Sequence, residues 1–344
     1  MKQVVVSETD AGQRLDKYLH KMLSLAPKSF LYKMLRKKNI TLNGAKAAGS
    51  ERLYPGDQIR LFLSEDTLNK YTRPRQENPK QIRRGPQPKV VYEDDQILLL
   101  NKPVGLLSQK SRPEDYSLTE WIHEYLRDTL TEEAPGFSPG LCNRLDRNTS
   151  GIAAAGKSVR AQQELSALFR DRTLGKYYLC PVQGVLKTKG YLQNSLYKLK
   201  KNNKVVIEEL KGHTENGREY AQTAYRPLGD NGNLTLLEVE LLTGKTHQIR
   251  AQLAAAGHPL VGDAKYGGSH WGRYCAGQFG CRYQMLHAWR LEFPLCEGVL
   301  APLSGRVFYA GLPAQFQSLL QKEHLEDFIP WKKKKNENRP SKKK

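Results

Sequence analysis

Between Gly151 and Gly156 the chain reads Gly-Ile-Ala-Ala-Ala-Gly, side chains so small that whatever flanks them must approach closely. We read this run as a tightly packed strand inside a domain core. Immediately before it stands Asn143-Arg-Leu-Asp-Arg-Asn-Thr-Ser150, which sets one carboxylate, Asp146, between Arg144 and Arg147. A carboxylate so placed can be a nucleophile, a base or one half of an ion pair. The local pattern leaves all three open.

The same segment, Gly151 through Gly156-Lys157-Ser158, fits the phosphate-loop pattern letter for letter. That pattern needs a buried strand just before its first glycine and a free loop after it. Here Asp146–Ser150 precedes the glycine, Ile152–Ala155 has strand character, and no apolar strand ends in a magnesium-holding aspartate. Nucleotide hydrolysis is therefore set aside. Thr243-Gly-Lys-Thr246 fails similarly, with Val239 where the first glycine belongs. His247, His258 and Asp263 match no familiar metal-ligand spacing, and no second placed acid completes a two-carboxylate glycosidase site. No cofactor and no metal are expected.

Charge separates the chain into parts. Lys and Arg number 55 against 35 Asp and Glu, a net +20, which calls for a polyanionic partner. Residues 1–65 carry twelve basic and six acidic side chains, residues 66–88 six and two, and residues 332–344 eight and one. The large central part is nearly neutral, like an enzyme core delivered to an anionic substrate by basic appendages. Five cysteines without a CxxC pair indicate reduced thiols. Met1–Asp10 lacks an apolar signal region, and no apolar stretch is long enough for a membrane span. A soluble, cytoplasmic protein is expected.

Along the chain, Leu15, Tyr18, Leu19 and Met22 recur at helical spacing, and Pro27 opens a second helix with Leu31, Met34 and Leu35 inward. The outer face of that helix carries Lys28, Lys33, Arg36, Lys37 and Lys38 with no acid, a pattern suited to phosphate binding. Ile40–Leu42, an Asn43-Gly44 turn, a Pro55-Gly56 turn and Gln58–Leu63 complete a compact basic module over 1–65. Residues 66–88 read as an extended basic linker, 89–325 as a packed domain and 326–344 as a basic disordered tail, with Lys198–Lys204 a solvated hairpin tip. Within the domain we expect strands at Val90–Tyr92, Gln96–Leu100, Gly151–Gly156, Lys176–Val182 and Leu234–Leu242. Helices are expected near Leu118–Leu126, Val159–Arg170 and Thr246–Ala256, the last closed by Gly257. That helix would put Arg250 in its second turn, on the face of His247. A cation so near a helix N-terminus calls for an anionic partner, and Asp146 would suit.

Two resemblances follow. Gly12-Gln-Arg-Leu-Asp-Lys-Tyr-Leu19, Pro27-Lys28-Ser29 through Lys37, and Gly56-Asp57 resemble the S4 RNA-binding domain. The likeness implies that Lys17, Lys28, Lys33, Arg36 and Lys37 bind structured RNA. Region 89–300 resembles the RluA family of pseudouridine synthases. The matching blocks are Asn101-Lys-Pro-Val-Gly105, Arg144–Gly151, Lys176-Tyr-Tyr178, Thr243-Gly-Lys-Thr-His-Gln-Ile-Arg250, Gly257–Asp263 with Tyr266-Gly267, and Leu286-His-Ala288, in that order. Asn143 stands where the family usually has His, Asn148 where it has Asp, and Phe293-Pro294-Leu295 lacks the usual His-Pro ending. The resemblance implies an α+β fold: the small S4-type module, then a synthase domain whose mixed, largely antiparallel sheet is flanked by helices and loops. It implies isomerisation of uridine in RNA, ribosomal RNA being favoured by the S4 module, by a monomer. Asp146 would be the catalytic carboxylate, Tyr178 would stack on the uracil, and Arg250 would pair with Asp146. Arg144, Lys245 and His247 would contact RNA, whose target base must be flipped out. The competing expectation is a non-catalytic RNA-binding assembly factor, for which damage at Asp146, Tyr178 or Arg250 would speak.

Overall fold

The computed structural model describes residues 1–72, 85–127, 137–198, 205–208 and 219–329. Its first part is built as the periodicity requires. Strand β1 (Lys2–Val5) precedes helices α1 (Leu15–Met22) and α2 (Lys28–Arg36), then β2 (Ile40–Leu42), β3 (Ala45–Lys46) and β4 (Gln58–Leu61). The strands form an antiparallel sheet in the order β1-β4-β2-β3. Leu15, Tyr18, Leu19, Leu31, Leu35, Ile40, Ile59 and Leu61 close one core beneath it. Asn43 and Gly44 both take positive φ (49° and 75°), the hairpin turn that Asn-Gly favours.

Residues 66–88 do not behave as a plain linker. Helix α3 (Glu65–Tyr71) begins there because the Ser64 hydroxyl accepts the Thr67 N–H, with Glu65 and Asp66 in the first turn. Leu68 and Tyr71 pack onto the first core, so the module runs past residue 65. The remainder of the linker at 73–84, the hairpin tip at 199–204 and the tail from 330 lie outside the described residues. The tail reading fails at its start: Glu326–Phe328 is a 3-10 turn, and Phe328 and Ile329 pack into the main core.

The second part contains β5 (Lys89–Glu93), β6 (Ile97–Lys102), α4 (Leu118–Tyr125), β7 (Ser150–Gly156), α5 (Val159–Arg170), β8 (Gly175–Gln183), β9 (Gly190–Lys198), β10 (Val205–Glu208), β11 (Glu219–Asp230) and β12 (Leu234–Leu241). It ends with α6 (Gln248–Ala255), α7 (Ala264–Phe279), β13 (His287–Glu292), β14 (Val307–Tyr309) and α8 (Ala314–Lys322). One ten-stranded sheet runs β10-β9-β11-β12-β8-β13-β7-β6-β5, with β14 on β13. It is mixed and largely antiparallel; β13 and β7 pair in parallel, Ala288 opposite Gly151. Helix α6 is shorter than expected. It starts at Gln248 because His247 takes a left-handed conformation (φ 54°), which moves Arg250 into the first turn.

The small-residue run is β7, buried along its whole length between β6 and β13. The phosphate-loop likeness is therefore a strand. Gly151 explains its own identity: φ is +115°, and a Cβ there would lie 2.1 Å from the Ala288 carbonyl oxygen. Gly151→Ala should cost about 3 kcal/mol or more by combined clash and backbone strain. Gly56→Ala, with φ +88° but open space around its Cβ, should cost only about 1 kcal/mol. Denaturant unfolding of the two variants tests this; equal losses would refute it.

Candidate active site

Asp146 lies in the loop that feeds β7, and that loop is held on both sides. Upstream, the Leu145 side chain is buried against Tyr178, Val239 and Ile249. The Leu145 amide donates to the Ser108 hydroxyl (3.1 Å), which donates back to the Leu145 carbonyl (2.7 Å). Asn143 clips the loop to β7: its amide donates to the Ile152 carbonyl (3.1 Å) and its oxygen accepts the Ala154 N–H (2.8 Å). Downstream, the Lys102 ammonium donates to the carbonyls of Pro103, Leu106 and Arg147 at 3.1, 2.8 and 3.0 Å. Lys102 is fully buried, and burial pushes its pKa down to about 7 against the opposing charge of Asp146. Three carbonyl acceptors satisfy the ammonium's three donors, which favours the charged form.

The loop delivers Asp146 to a cleft of about 950 Å³ whose walls include Arg144, Tyr178, Lys245, His247 and Arg250. The sequence expectation that these residues meet is met. Arg250 Nη1 donates to Asp146 Oδ2 at 3.2 Å. Its stronger hold is elsewhere: Nε and Nη2 donate to the two oxygens of Asp263 at 2.7 and 3.0 Å. Burial works to lower the Arg250 pKa, but the hydrogen bonds and charge of Asp263, with Asp146 adding, leave it raised. In the sequence Asp263 stands as a metal-ligand candidate and as the end of a matching block with no role assigned. It is instead the buried counter-ion of Arg250 and also caps α7 by accepting from the Lys265 and Tyr266 amides. His258 bonds the Gln183 carbonyl, away from both. Among the described residues no cluster of His, Cys, Asp and Glu could hold a metal.

His247 sits inside the cleft rather than at its rim. Its Nε2 is 3.6 Å from Asp146 Oδ2 and its Nδ1 is 2.8 Å from the Tyr266 hydroxyl, which accepts the Val205 amide. Burial pushes the imidazole well below the usual histidine range, with Asp146 opposing. It is a neutral ring at neutral pH. The block Thr243–Gln248 is a wound turn: the Gln248 oxygen accepts from the Thr243 hydroxyl and the Lys245 amide. Its NH2 group donates to β11 at the Gln222 carbonyl and Thr223 hydroxyl. Tyr178, 8 % exposed, shares the Asp146 side of the sheet, while Tyr177 lies under Arg290 on the other. Burial first, then the charge of Asp146, raises the Tyr178 phenol, so it stays protonated. Arg144 is exposed at the mouth. Lys17, Lys28, Lys33, Arg36 and Lys37 are exposed on the first module and do not line the cleft.

Asp263→Ala removes both strong bonds of Arg250, whose side chain is 7 % exposed, and leaves it one half-exposed carboxylate. Truncating one partner of a buried ion pair costs about 3–5 kcal/mol. Denaturant unfolding should register that loss; a change below about 1 kcal/mol would place the anchoring of Arg250 elsewhere.

A family model described as RNA pseudouridylate synthase matches residues 96–255. The ribosomal large subunit pseudouridine synthase C of Vibrio cholerae serotype O1 is 32 % identical over 291 residues, covering 84 % of this chain and 87 % of that protein. The ribosomal large subunit pseudouridine synthase D of Nitrosomonas europaea is 29 % identical over 328 residues, covering 93 % and 87 %. Among solved structures, human RNA Pseudouridylate Synthase Domain Containing 4 superposes with a TM-score of 0.55 at 22 % identity, covering 68 % of this chain and 92 % of that one, which supports the fold. The chain belongs to the RNA pseudouridylate synthase family and is an RNA pseudouridine synthase, an isomerase.

Proposed function

We propose that this synthase isomerises specific uridines of large-subunit ribosomal RNA, with Asp146 as its catalytic carboxylate. The observation that carries the reading is the Asp146 carboxylate facing a large cleft while Arg250 holds it from behind at 3.2 Å. The substrate class is supported by the names of the relatives, which act on the ribosomal large subunit. In the reaction the N1–C1′ bond breaks, uracil turns, and a C5–C1′ bond forms as C5 loses and N1 gains a proton. The target base leaves its stack to reach the carboxylate. Tyr178, a protonated phenol beside Asp146, stacks on the uracil and can relay a proton. Arg144, exposed at the mouth, fills the place that the flipped base vacates.

The first module serves as an S4-like RNA anchor. Supporting this, Lys28, Lys33, Arg36, Lys37 and Lys38 are all exposed on or just after α2, and α2 has no acid in its first turn. Lys17 on α1 is exposed as well.

Purified protein should introduce pseudouridine into ribosomal RNA, read as carbodiimide-dependent primer-extension stops. Asp146→Asn should lower the rate at least about a thousandfold while RNA binding persists; wild-type rates in that variant would remove Asp146 from the mechanism. Neutralising Lys28, Lys33, Arg36 and Lys37 together should flatten the log affinity versus log salt slope by about 3. An unchanged slope would detach the module from RNA.

A further inference from the structure

Among the described residues, cations that are buried or half-buried nearly all have an internal partner. Arg250 has Asp263 and Asp146, Lys102 has three carbonyls, Lys157 has Glu93 and the Asp94 carbonyl, and Arg290 has Glu238 and Glu292. Lys176, near the start of β8, does not fit. It is half-buried at the cleft, and among the described residues no hydrogen bond or ion pair engages its ammonium. The carboxylate that attracts it, Glu240, pairs in register with Tyr177 and so belongs to the opposite face of the sheet. The nearest strong influence on its own side is repulsive. Arg172 lines the same cleft, exposed and likewise unpaired among the described residues.

Several other cations around the cleft are already engaged. Lys110 pairs with Glu120 at 3.4 Å, Arg170 with Asp171 at 2.9 Å, and Arg147 donates to the Gly105 carbonyl at 3.1 Å. Arg172 follows the end of α5 in a left-handed conformation (φ 62°), where the turn is closed by the Thr173 amide donating to the Leu168 carbonyl. Two like charges side by side, one of them half-desolvated, form an arrangement that an external anion would relieve. Burial, then Arg172, depresses the Lys176 pKa, and a bound anion would reverse that.

We infer that Lys176 and Arg172 form a phosphate-binding subsite for the RNA phosphodiester beside the flipped uridine. This rests on reading Asp146 as the reacting centre. The strand fixes the distance: Lys176 and Tyr178 project from the same face of β8, two residues apart, roughly 7 Å along the strand. A uracil stacked on Tyr178 therefore brings a neighbouring backbone phosphate to the ammonium, with the Arg172 guanidinium free to take a second oxygen. The subsite is distinct from Arg144, on the Asp146 loop, and from the cations of the first module.

The test uses full-length protein and an in vitro transcribed ribosomal RNA fragment that the wild type modifies. The double variant Lys176→Gln, Arg172→Gln should raise KM about tenfold and flatten the salt slope of kcat/KM by about 0.7, one phosphate on a single strand. The fall in kcat at saturating RNA should be much smaller than the rise in KM, and Lys176→Arg should restore most of the KM. Arg172→Glu, at an exposed position whose side chain makes no hydrogen bond or ion pair among the described residues, should raise KM alone and keeps the test valid if Lys176→Gln misfolds. Unchanged KM and salt slope in Arg172→Glu and the double variant would overturn the subsite. So would a fall in kcat at constant KM, which would assign Lys176 to chemistry or structure. A dead Asp146→Asn with a wild-type-like double variant sinks the subsite alone. An active Asp146→Asn sinks the catalytic reading instead.

Discussion

The site depends on how one guanidinium is divided between two acids. Arg250 gives its Nε and Nη2 edge to Asp263 and keeps Nη1 for Asp146. The fork geometry matters: a bidentate grip on Asp263 fixes the plane of the guanidinium, and the plane fixes where the third donor points. A lysine could neutralise one carboxylate but could not orient a second by its geometry. Arg250 also sits in the first turn of α6, where the helix dipole disfavours a cation. The two acids offset that cost, and Asp263 carries most of it because its side chain is only 1 % exposed. Asp146, with 30 % of its side chain exposed, is held yet still faces the cleft.

Orientation of the carboxylate would mean little if its backbone could drift. Lys102, Ser108 and Asn143 remove that freedom from three directions, each by bonding main-chain groups rather than Asp146 itself. A fixed dipolar surround of this kind does not need to reorganise as charge moves. Asn143 acquires a clear reason: its amide supplies both a donor and an acceptor to β7, which is what clips the loop to the strand. Nothing in the structure explains Asn148.

The helices α1, α2, α4 and α5 and most strands were legible because their apolar period is local. The long-range parts were not. Strand β1 is short and mostly exposed, so Lys2–Val5 carries no alternation to read. Helix α7 contains Gly267, Gly268, Gly272 and Gly277, a composition that argues against any helix. It is broken at Gly268 (φ 84°): Asp263 caps the short first piece, and Trp271 and Cys275 bury the second into the main core. In the site, Asp146, Tyr178 and Arg250 were readable as motif residues, but Asp263 and Lys102 were not assigned. A lysine with every donor spent on main-chain carbonyls leaves no charge pattern in the sequence. The start of α6 was misplaced for a related reason: His247 in the left-handed region is stabilised by Tyr266, nineteen residues away.

Charge completes the account. Asp146, Arg250 and Asp263 together carry one net negative charge, and His247 beside them is neutral. A substrate that is itself a polyanion must bring phosphates toward that charge. The large basic excess of the chain belongs, by sequence, to residues 1–65, 66–88 and 332–344 rather than to the nearly neutral domain that holds the cleft. Within that domain, compensation is available from the rim of the cleft. Arg144 on one side and Arg172 with Lys176 on the other are placed for it, since none of them is spent on an internal acid among the described residues. The nearly neutral domain is thus locally polarised: negative around Asp146 and Asp263, positive at Arg144, Arg172 and Lys176 along the cleft.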